Sequence, residues 1–572
     1  VNGRRAAIVR RVARIAGVAT AAVLAAVAVY VLLSLPPRSV ILPSALPPTI
    51  VYGAYHVHSS RSDGSGTVDE IAAAAARAGL AFVILTDHGD AARRPDPPAY
   101  HHGVLCFDAT EITTSAGHIV ALGLTRAADY PLGGEARDVI EDIHRLGGVA
   151  IAAHPDSPRP ELRWRGGGAG LDGVEWLNAD SEWRDEPGGR LLMAAARSLL
   201  RPAGVIASLF ERPARSLARW DAAARNRPVF SLVALDAHAR IAWGDDGEPR
   251  RSGGLAFPSY DAMVRTAAQA VVLERPLSRD PADDAARILA AVTSGRTYTI
   301  VRAAADPAAL DFHAAMGAST VPMGGTIEDG FAGVTLRAGV PGVPDADLAL
   351  MRDGQRVAAG KGSLEFAPTA PGVYRVEAYY PRFAVPWLLS NAIRLGLSAA
   401  TPPSEPPTPP APVKAILVTS GPWTTEQDRS STASLEAEGP DVRFRFQLGG
   451  GPLAGQFAAL VTTGAGDAAL DRIRFSARAD RPMRVSVQVR VLGGGPDGRR
   501  WRRSVYVDRG PRLVDIALAD LEPVGPATTL RPVVARVQAV LFVIDTVNAA
   551  AGATGSIWLS GVTLGLGDAG GG

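Results

Sequence analysis

Imidazole and carboxylate side chains gather in one half of this sequence at spacings that suit metal ions. Tyr55-His56-Val57-His58 places two rings two residues apart. A strand sends residues i and i+2 to one face, so this pair can hold one ion together. Asp63 follows, next to a Ser-Asp-Gly turn (Ser62-Asp63-Gly64) that can fold the chain back toward the pair. His88 closes Thr86-Asp87-His88. Further on come Glu111, His118 after Gly117, His154 between Ala153 and Pro155, and the run Asp236-Ala237-His238. All ten histidines lie between His56 and His313, although the chain runs to Gly572. These residue types are the usual ligands of zinc, manganese or iron. The nine candidates exceed what one ion needs, which predicts two or three divalent ions (Zn, Mn or Fe) in a hydrolytic centre.

The elements that must position them are legible too. Thr67 and Glu70 have capping-box spacing before an Ala-rich helical run, Ile71 to Ala78, which Gly79 closes. Ala81 to Leu85 then reads as a buried parallel strand, with Asp87 and His88 at its carboxyl end. The same grammar recurs. A helix over Arg137 to Arg145 stops at Gly147-Gly148, a strand over Val149 to Ala153 ends at His154, and Val229 to Leu235 ends at Asp236 and His238. Strand ends that carry ligands are the layout of a β/α barrel. Glu111 follows Phe107-Asp108-Ala109-Thr110, where a bridging carboxylate belongs. Glu175 and Asn178, on the strand Gly173 to Asn178, either line the pocket or simply end a strand. Asp63, His88 and His238 are the candidates closest to the chemistry. Long inserts at 156–172 and 179–228 are expected to cover the mouth with Arg159, Arg163, Arg165 and Arg184, and Arg61 or Arg159 is placed to clamp a phosphate.

Together these motifs resemble the PHP (polymerase and histidinol phosphatase) domain family over roughly residues 50–300. The matching positions are His56, His58 and Asp63, then His88, Glu111, His118 and His154, and last Asp236 with His238. The resemblance implies a distorted (β/α)7 barrel holding two or three divalent metals and, for most members, phosphate-ester hydrolysis. More narrowly the chain is similar to a branch that includes carbamate-insecticide hydrolases. In that branch a β-rich extension resembling Pro371-Gly372-Val373-Tyr374-Arg375-Val376-Glu377 and Pro386-Trp387-Leu388-Leu389-Ser390-Asn391 follows the barrel. The resemblance implies that His56, His58, Glu111 and Asp236 serve one ion and Asp63, His88 and His238 a second, with Glu111 bridging toward His118 and His154. The partition is left open by the sequence. The expected reaction is phosphoester hydrolysis of a small-molecule ester by metal-activated water. The alternatives are hydrolysis of a carbamate, carboxylic ester or amide at the same metals, and a non-catalytic envelope scaffold.

At the chain start Arg4, Arg5, Arg10, Arg11 and Arg14 precede an uncharged stretch from Ile15 to Leu35, long enough to cross a bilayer. The positive-inside rule then predicts a single-pass cell-membrane anchor with the catalytic region on the extracytoplasmic side. A cleaved signal peptide is the competing reading. A net charge of +2 gives no electrostatic case for nucleic acid, and the single cysteine, Cys106, excludes an intrachain disulfide.

The expected organisation is multidomain, α/β plus all-β: a basic start and transmembrane helix at 1–37, the barrel at 50–305, a small β-sandwich at 306–397, a proline-rich linker at 398–413, and a jelly-roll-like β-sandwich at 414–566. The last domain offers a carbohydrate the faces of Trp423, Trp501 and Trp558 with Arg478, Arg481 and Arg502, although tryptophans in strands are usually core.

Overall fold

The computed structural model describes residues 2–565 apart from 44–45, 169, 241–256, 381–382, 384, 399–414, 419–421, 452–454, 464–470, 492–497, 526–530 and 534–536. The proline-rich linker therefore lies outside the described residues. The rest is mixed α/β, with many sheets and one long apolar helix, Asn2–Leu33, at the start.

Two sheets carry the candidate ligands. In the first, the strand Ile50–Val57 lies between Phe82–Leu85, which is parallel to it, and Ala268–Val272, which is antiparallel; Val104–Asp108 continues parallel beyond Phe82–Leu85. In the second, Phe230–Ala234, Gly173–Asn178, Val149–Ala152, Gly117–Leu122 and Thr110–Thr114 stand in that order. Isolated parallel bridges join the two sheets on both flanks, Val57 to Ala237 and His88 to Glu111. The ligand-bearing ends are therefore tied together through backbone, with His58 N–H donating to Ala237 O at 3.0 Å and Gly89 N–H to Glu111 O at 3.0 Å.

The strand-helix-strand grammar of the sequence holds for only part of this arrangement. Thr110–Thr114 and Gly117–Leu122 form an antiparallel hairpin, and Gly117–Leu122 is antiparallel to Val149–Ala152 as well. The two-residue turn between them leaves no room for a crossover helix, so antiparallel pairing is the available outcome. The long insert at 179–228 consists of four helices, Ala179–Arg184, Gly188–Ser198, Pro202–Leu209 and Ala214–Asn226.

The extension is not a separate layer. Thr297–Ile300 pairs with Leu388–Ser390, which pairs in turn with Gly372–Tyr379, so the sheet of the ligand-bearing region runs on into residues after 306. Asn391 fastens the junction: it donates to Thr297 Oγ1 at 2.7 Å and Ser231 O at 3.1 Å and accepts from Ser231 N–H at 2.7 Å. Trp387, fully buried, donates its indole N–H to Ala305 O at 2.9 Å.

The C-terminal region is a β-sandwich of two six-stranded sheets around a core that includes Phe444, Phe475, Val487, Phe542 and Ile557. One outer face lies against the ligand-bearing region. Arg484, 1% exposed, donates to Asp142 at 2.7 Å and reaches Glu141 at 3.1 Å. Arg502 pairs with Glu135 at 2.5 Å, and Arg145 sits over the Tyr506 ring at 3.7 Å.

Candidate metal centre

The nine candidate ligands converge at the joined ends of the two sheets. His56 Nε2, His58 Nε2, Glu111 Oε2 and Asp236 Oδ1 form the tightest group. The two nitrogens are 3.1 Å apart, each is 3.2 Å from Glu111 Oε2, and each is 3.4 Å from Asp236 Oδ1. An ion bound tetrahedrally by nitrogen and oxygen at ~2.1 Å holds its donors about 3.4 Å apart. Both imidazole nitrogens therefore stand at ligand spacing from each other and from both carboxylate oxygens.

A second group adjoins it. Asp63 Oδ2 lies 3.2 Å from His238 Nε2 and 3.6 Å from His88 Nε2, and Asp63 Oδ1 lies 3.3 Å from His58 Nδ1. The ring of His238 stacks on that of His58 with centroids 4.1 Å apart. On the far side, Glu111 Oε1 is 2.8 Å from both His118 Nδ1 and His154 Nε2, while its other oxygen is 3.4 Å from His88 Nδ1. Glu111 thus faces His56 and His58 on one side and His118 and His154 on the other. Three sets of donors that could hold an ion result: His58, Asp63, His88 and His238; His56, His58 and Glu111; and His88, Glu111 and His118.

The backbone is strained to achieve this. His56, His154 and Asp236 have φ of 61°, 28° and 50°, in the left-handed region that non-glycine residues avoid. Such residues cost about 1–3 kcal/mol each and persist where the surroundings over-determine them, often at functional sites. At His56 the strand also slips register between Ala54 and Val57, which re-aims the side chain.

The sequence singles out Glu175, Asn178 and Asp87 but not their orienting role, and it does not single out Tyr260. Glu175, fully buried, contacts His56 Nδ1 at 2.5 Å through one oxygen and accepts His154 N–H at 2.7 Å through the other. Asn178 donates to Glu175 at 3.0 Å and to Asp236 Oδ2 at 3.2 Å, and its own oxygen caps the helix Ala179–Arg184. Both residues therefore stand behind ligands. They are placed to orient them, not to line the mouth. Asp87 accepts from Ser59 N–H, Ser59 Oγ and Ser62 Oγ, each at 2.7 Å, and so pins the turn that presents Asp63. In that turn a Cβ on Gly64 would fall 2.1 Å from His58 O, so only glycine fits. Tyr260 closes the other side by donating to His58 O at 2.7 Å. The cluster Ser59, Ser62 and Asp87 was a readable signal for this, but Tyr260 was not, since it lies far away in the chain.

The electrostatics call for positive charge. Burial alone would push the His56 and His58 pKa values down, but the neighbouring carboxylates outweigh it: Glu175, Asp236 and Glu111 at His56, and Asp236, Asp63 and Glu111 at His58. Both rings are raised well above the ordinary imidazole value. His154 is pushed up to about 9 by Glu111 against the same burial. Burial opposes ionisation of Glu111 as well, yet His56 and His88 hold it well below the carboxylate range. Buried carboxylates packed among imidazoles must be neutralised by protons or by bound cations. The donor set, the spacing and this charge demand all fit divalent ions.

The arginines are mostly committed elsewhere. Arg61 pairs with Asp108 at 2.8 Å and Asp96 at 2.9 Å. Arg163 and Arg165 donate to backbone carbonyls, those of Ser157 and Pro158 and those of Pro160 and Ser115. Arg159 is exposed. Arg184 pairs with Asp180 and feels the charges of Asp236 and Asp63. The remaining histidines stay outside the centre: His101 and His102 flank Asp69 at 3.1 Å, His144 bonds Asp172 at 2.7 Å, and His313 bonds Asp311 at 2.8 Å.

The aromatic candidates of the C-terminal sandwich also separate. Trp501 is buried in the core, Trp423 packs against it, and Arg502 is held by Glu135. Trp558 lies at the surface between the guanidinium groups of Arg443 and Arg478.

No family model matches the chain. An uncharacterized protein of Methanocaldococcus jannaschii is 36% identical over 108 residues, which is 18% of this chain and 62% of that protein. The chain thus spans under two thirds of that relative's length. Among solved structures, a family 11 carbohydrate-binding module of a Clostridium thermocellum cellulosomal cellulase is 12% identical at a TM-score of 0.22, covering 25% of this chain and 88% of that one. An agarase is 11% identical at a TM-score of 0.20, covering 27% of this chain and 25% of that one.

At the chain start, residues Arg10–Leu33 form a helix long and apolar enough to span a membrane or to serve as a signal sequence.

Proposed function

We propose that residues 50–305 are a metal-dependent hydrolase of the PHP type, held at the cell membrane by the N-terminal helix with the site on the extracytoplasmic side. The observation that carries the proposal is the spacing of His56 Nε2 and His58 Nε2, 3.1 Å from each other and 3.2–3.4 Å from Glu111 Oε2 and Asp236 Oδ1. The strained backbone at three ligands and the adjoining group Asp63, His88 and His238 support it. His56, His58, Glu111 and Asp236 would hold one ion and Asp63, His88 and His238 a second, with His118 and His154 against the other oxygen of Glu111. Divalent ions held there supply an activated water and a Lewis acid for ester cleavage. The chain's own part is to fix those donors: Glu175 and Asn178 orient His56 and Asp236, and Asp87 fixes the turn that carries Asp63.

Phosphoesters are the first substrate class, with the exposed Arg159 to meet a phosphate and Arg184, although paired with Asp180, within the field of Asp236 and Asp63. A neutral carbamate or carboxylic ester is the second reading. It is favoured by the commitment of Arg61, Arg163 and Arg165 to carboxylates and carbonyls of the protein itself. Elemental mass spectrometry on purified protein tests the metal reading: two or three divalent ions per chain are expected, and fewer than one under metal-replete conditions overturns it. Rates on aryl phosphates, carbamates and acetates then decide the class. Phosphate turnover that falls in Arg159→Ala or Arg184→Ala supports the first reading. Carbamate turnover well above phosphate turnover, unmoved by either change, replaces it with the second.

A further inference from the structure

The helix Gly188–Ser198 carries an apolar stripe on its outer side. Leu192, Ala195 and Leu199 follow one another at helical spacing and are exposed, with Leu200 beside them. Leu192 is 75% exposed and Leu199 86%, while Ala194 and Ser198 on the other side are buried. A leucine stripe normally faces a core, and among the described residues nothing covers this one.

Its location names the occupant. The same helix packs against Asn2–Leu33, and Arg197 donates to Ser34 Oγ at 3.0 Å and sits 6.0 Å from the Tyr30 ring. Arg201 reaches Pro36 O, just past the end of the long helix. The stripe therefore belongs to a helix docked at the end of the apolar helix, whose Tyr30, Leu32 and Leu33 are exposed as well. Arg197 and Arg201 stand at the level where the apolar helix ends, where the guanidinium groups would meet lipid phosphates.

We infer that the helix Gly188–Ser198 and the adjoining Leu199-Leu200 lie in the outer leaflet of a lipid bilayer, as a second membrane contact beside the N-terminal helix. The inference rests on the membrane reading of that helix. Asn178, which orients the metal centre, caps the short helix that precedes this one. The contact therefore ties the centre's orientation to the lipid surface at a second point.

The experiment uses the full chain in vesicles of phosphatidylcholine and phosphatidylglycerol, with brominated lipid as quencher. A bimane fluorophore is attached to Ile15→Cys, Leu192→Cys, Leu199→Cys or Leu513→Cys, one at a time; the native Cys106 is buried. Quenching of about twofold at 15, 192 and 199, with none at 513 on the sandwich, is expected from insertion to acyl-chain depth. Quenching at 15 alone overturns the inference and leaves the anchor standing. No quenching at 15 removes the anchor reading and the inference with it. Labels at 192 and 199 that are shielded but unquenched, together with a dimeric mass in detergent, assign the stripe to a second copy and also overturn it.

Discussion

Glu175 acts on the centre through other residues: one oxygen orients the His56 ring and the other holds the His154 backbone. Such outer partners typically change metal affinity 10–100-fold when removed. Glu175→Gln keeps the volume and weakens the charge, so a loss of about tenfold in affinity is expected, measured by chelator competition, with the far-ultraviolet circular dichroism unchanged. Unaltered affinity would show that the contact is only structural. The gathering of the nine donors could be read from the sequence because eight sit by strand ends and Asp63 in a Ser-Asp-Gly turn, each with a short local signal. Glu175 and Asp87 could be seen as polar strand-end residues, but not as orienters. Their roles depend on which atom faces which neighbour, and spacing along the chain does not encode that.

At the scale of elements, the helix Val68–Arg77 was readable in detail. Thr67 Oγ1 accepts Glu70 N–H, and the Glu70 carboxylate accepts Thr67 N–H, as the capping-box spacing predicts. Thr67→Ala should lower stability by about 1 kcal/mol in denaturant titration, since an orphan N–H loses its acceptor. A change under a few tenths would mean that solvent serves the helix end equally well. The hairpin Thr110–Leu122 shows the limit of such reading. Glu111 and His118 were found individually, without the two-residue turn that pairs their strands. Residues 179–228 show a related limit: three of their four helices have no side-chain N-cap, so that start signal is missing from the sequence.

For the molecule as a whole, the join between the C-terminal sandwich and the ligand-bearing region rests on buried charge. Arg484 is enclosed with Asp138 and Asp142, each 1% exposed. Removing one partner of a buried pair typically costs about 3–5 kcal/mol, because the other is left uncompensated. Arg484→Ala should therefore lose stability on that scale by denaturant unfolding. A loss of under about 1 kcal/mol would show that the two regions do not stay docked.

Asp138 gives the same interface a pH dependence. Burial raises its pKa to about 6 despite Arg484, whose guanidinium stands 3.8 Å away, and among the described residues neither carboxylate oxygen accepts a hydrogen bond. The folded state thus holds this proton more tightly than the unfolded chain does. Its stabilising share is complete below about pH 4 and is lost as pH rises through 6. Asp138→Asn should remove that slope and raise stability at pH 8 by up to about 3 kcal/mol. A slope that persists in the variant would place its origin elsewhere. The interface was hidden in the sequence because arginines at alternate strand positions ordinarily face solvent. Only docking reverses that.

The pairing of Thr297–Ile300 with Leu388–Ser390 has a consequence for any shortened form of the protein. A chain cut at residue 305 would leave Thr297–Ile300 as a bare sheet margin, with its outward N–H and C=O groups unmet and the β-prone run Thr-Tyr-Thr-Ile laid open. Open margins of that kind recruit the same margin on another molecule. The segment after 306 therefore also acts as a guard against self-templated aggregation, and the ligand-bearing region should stay dispersed only while that guard is attached.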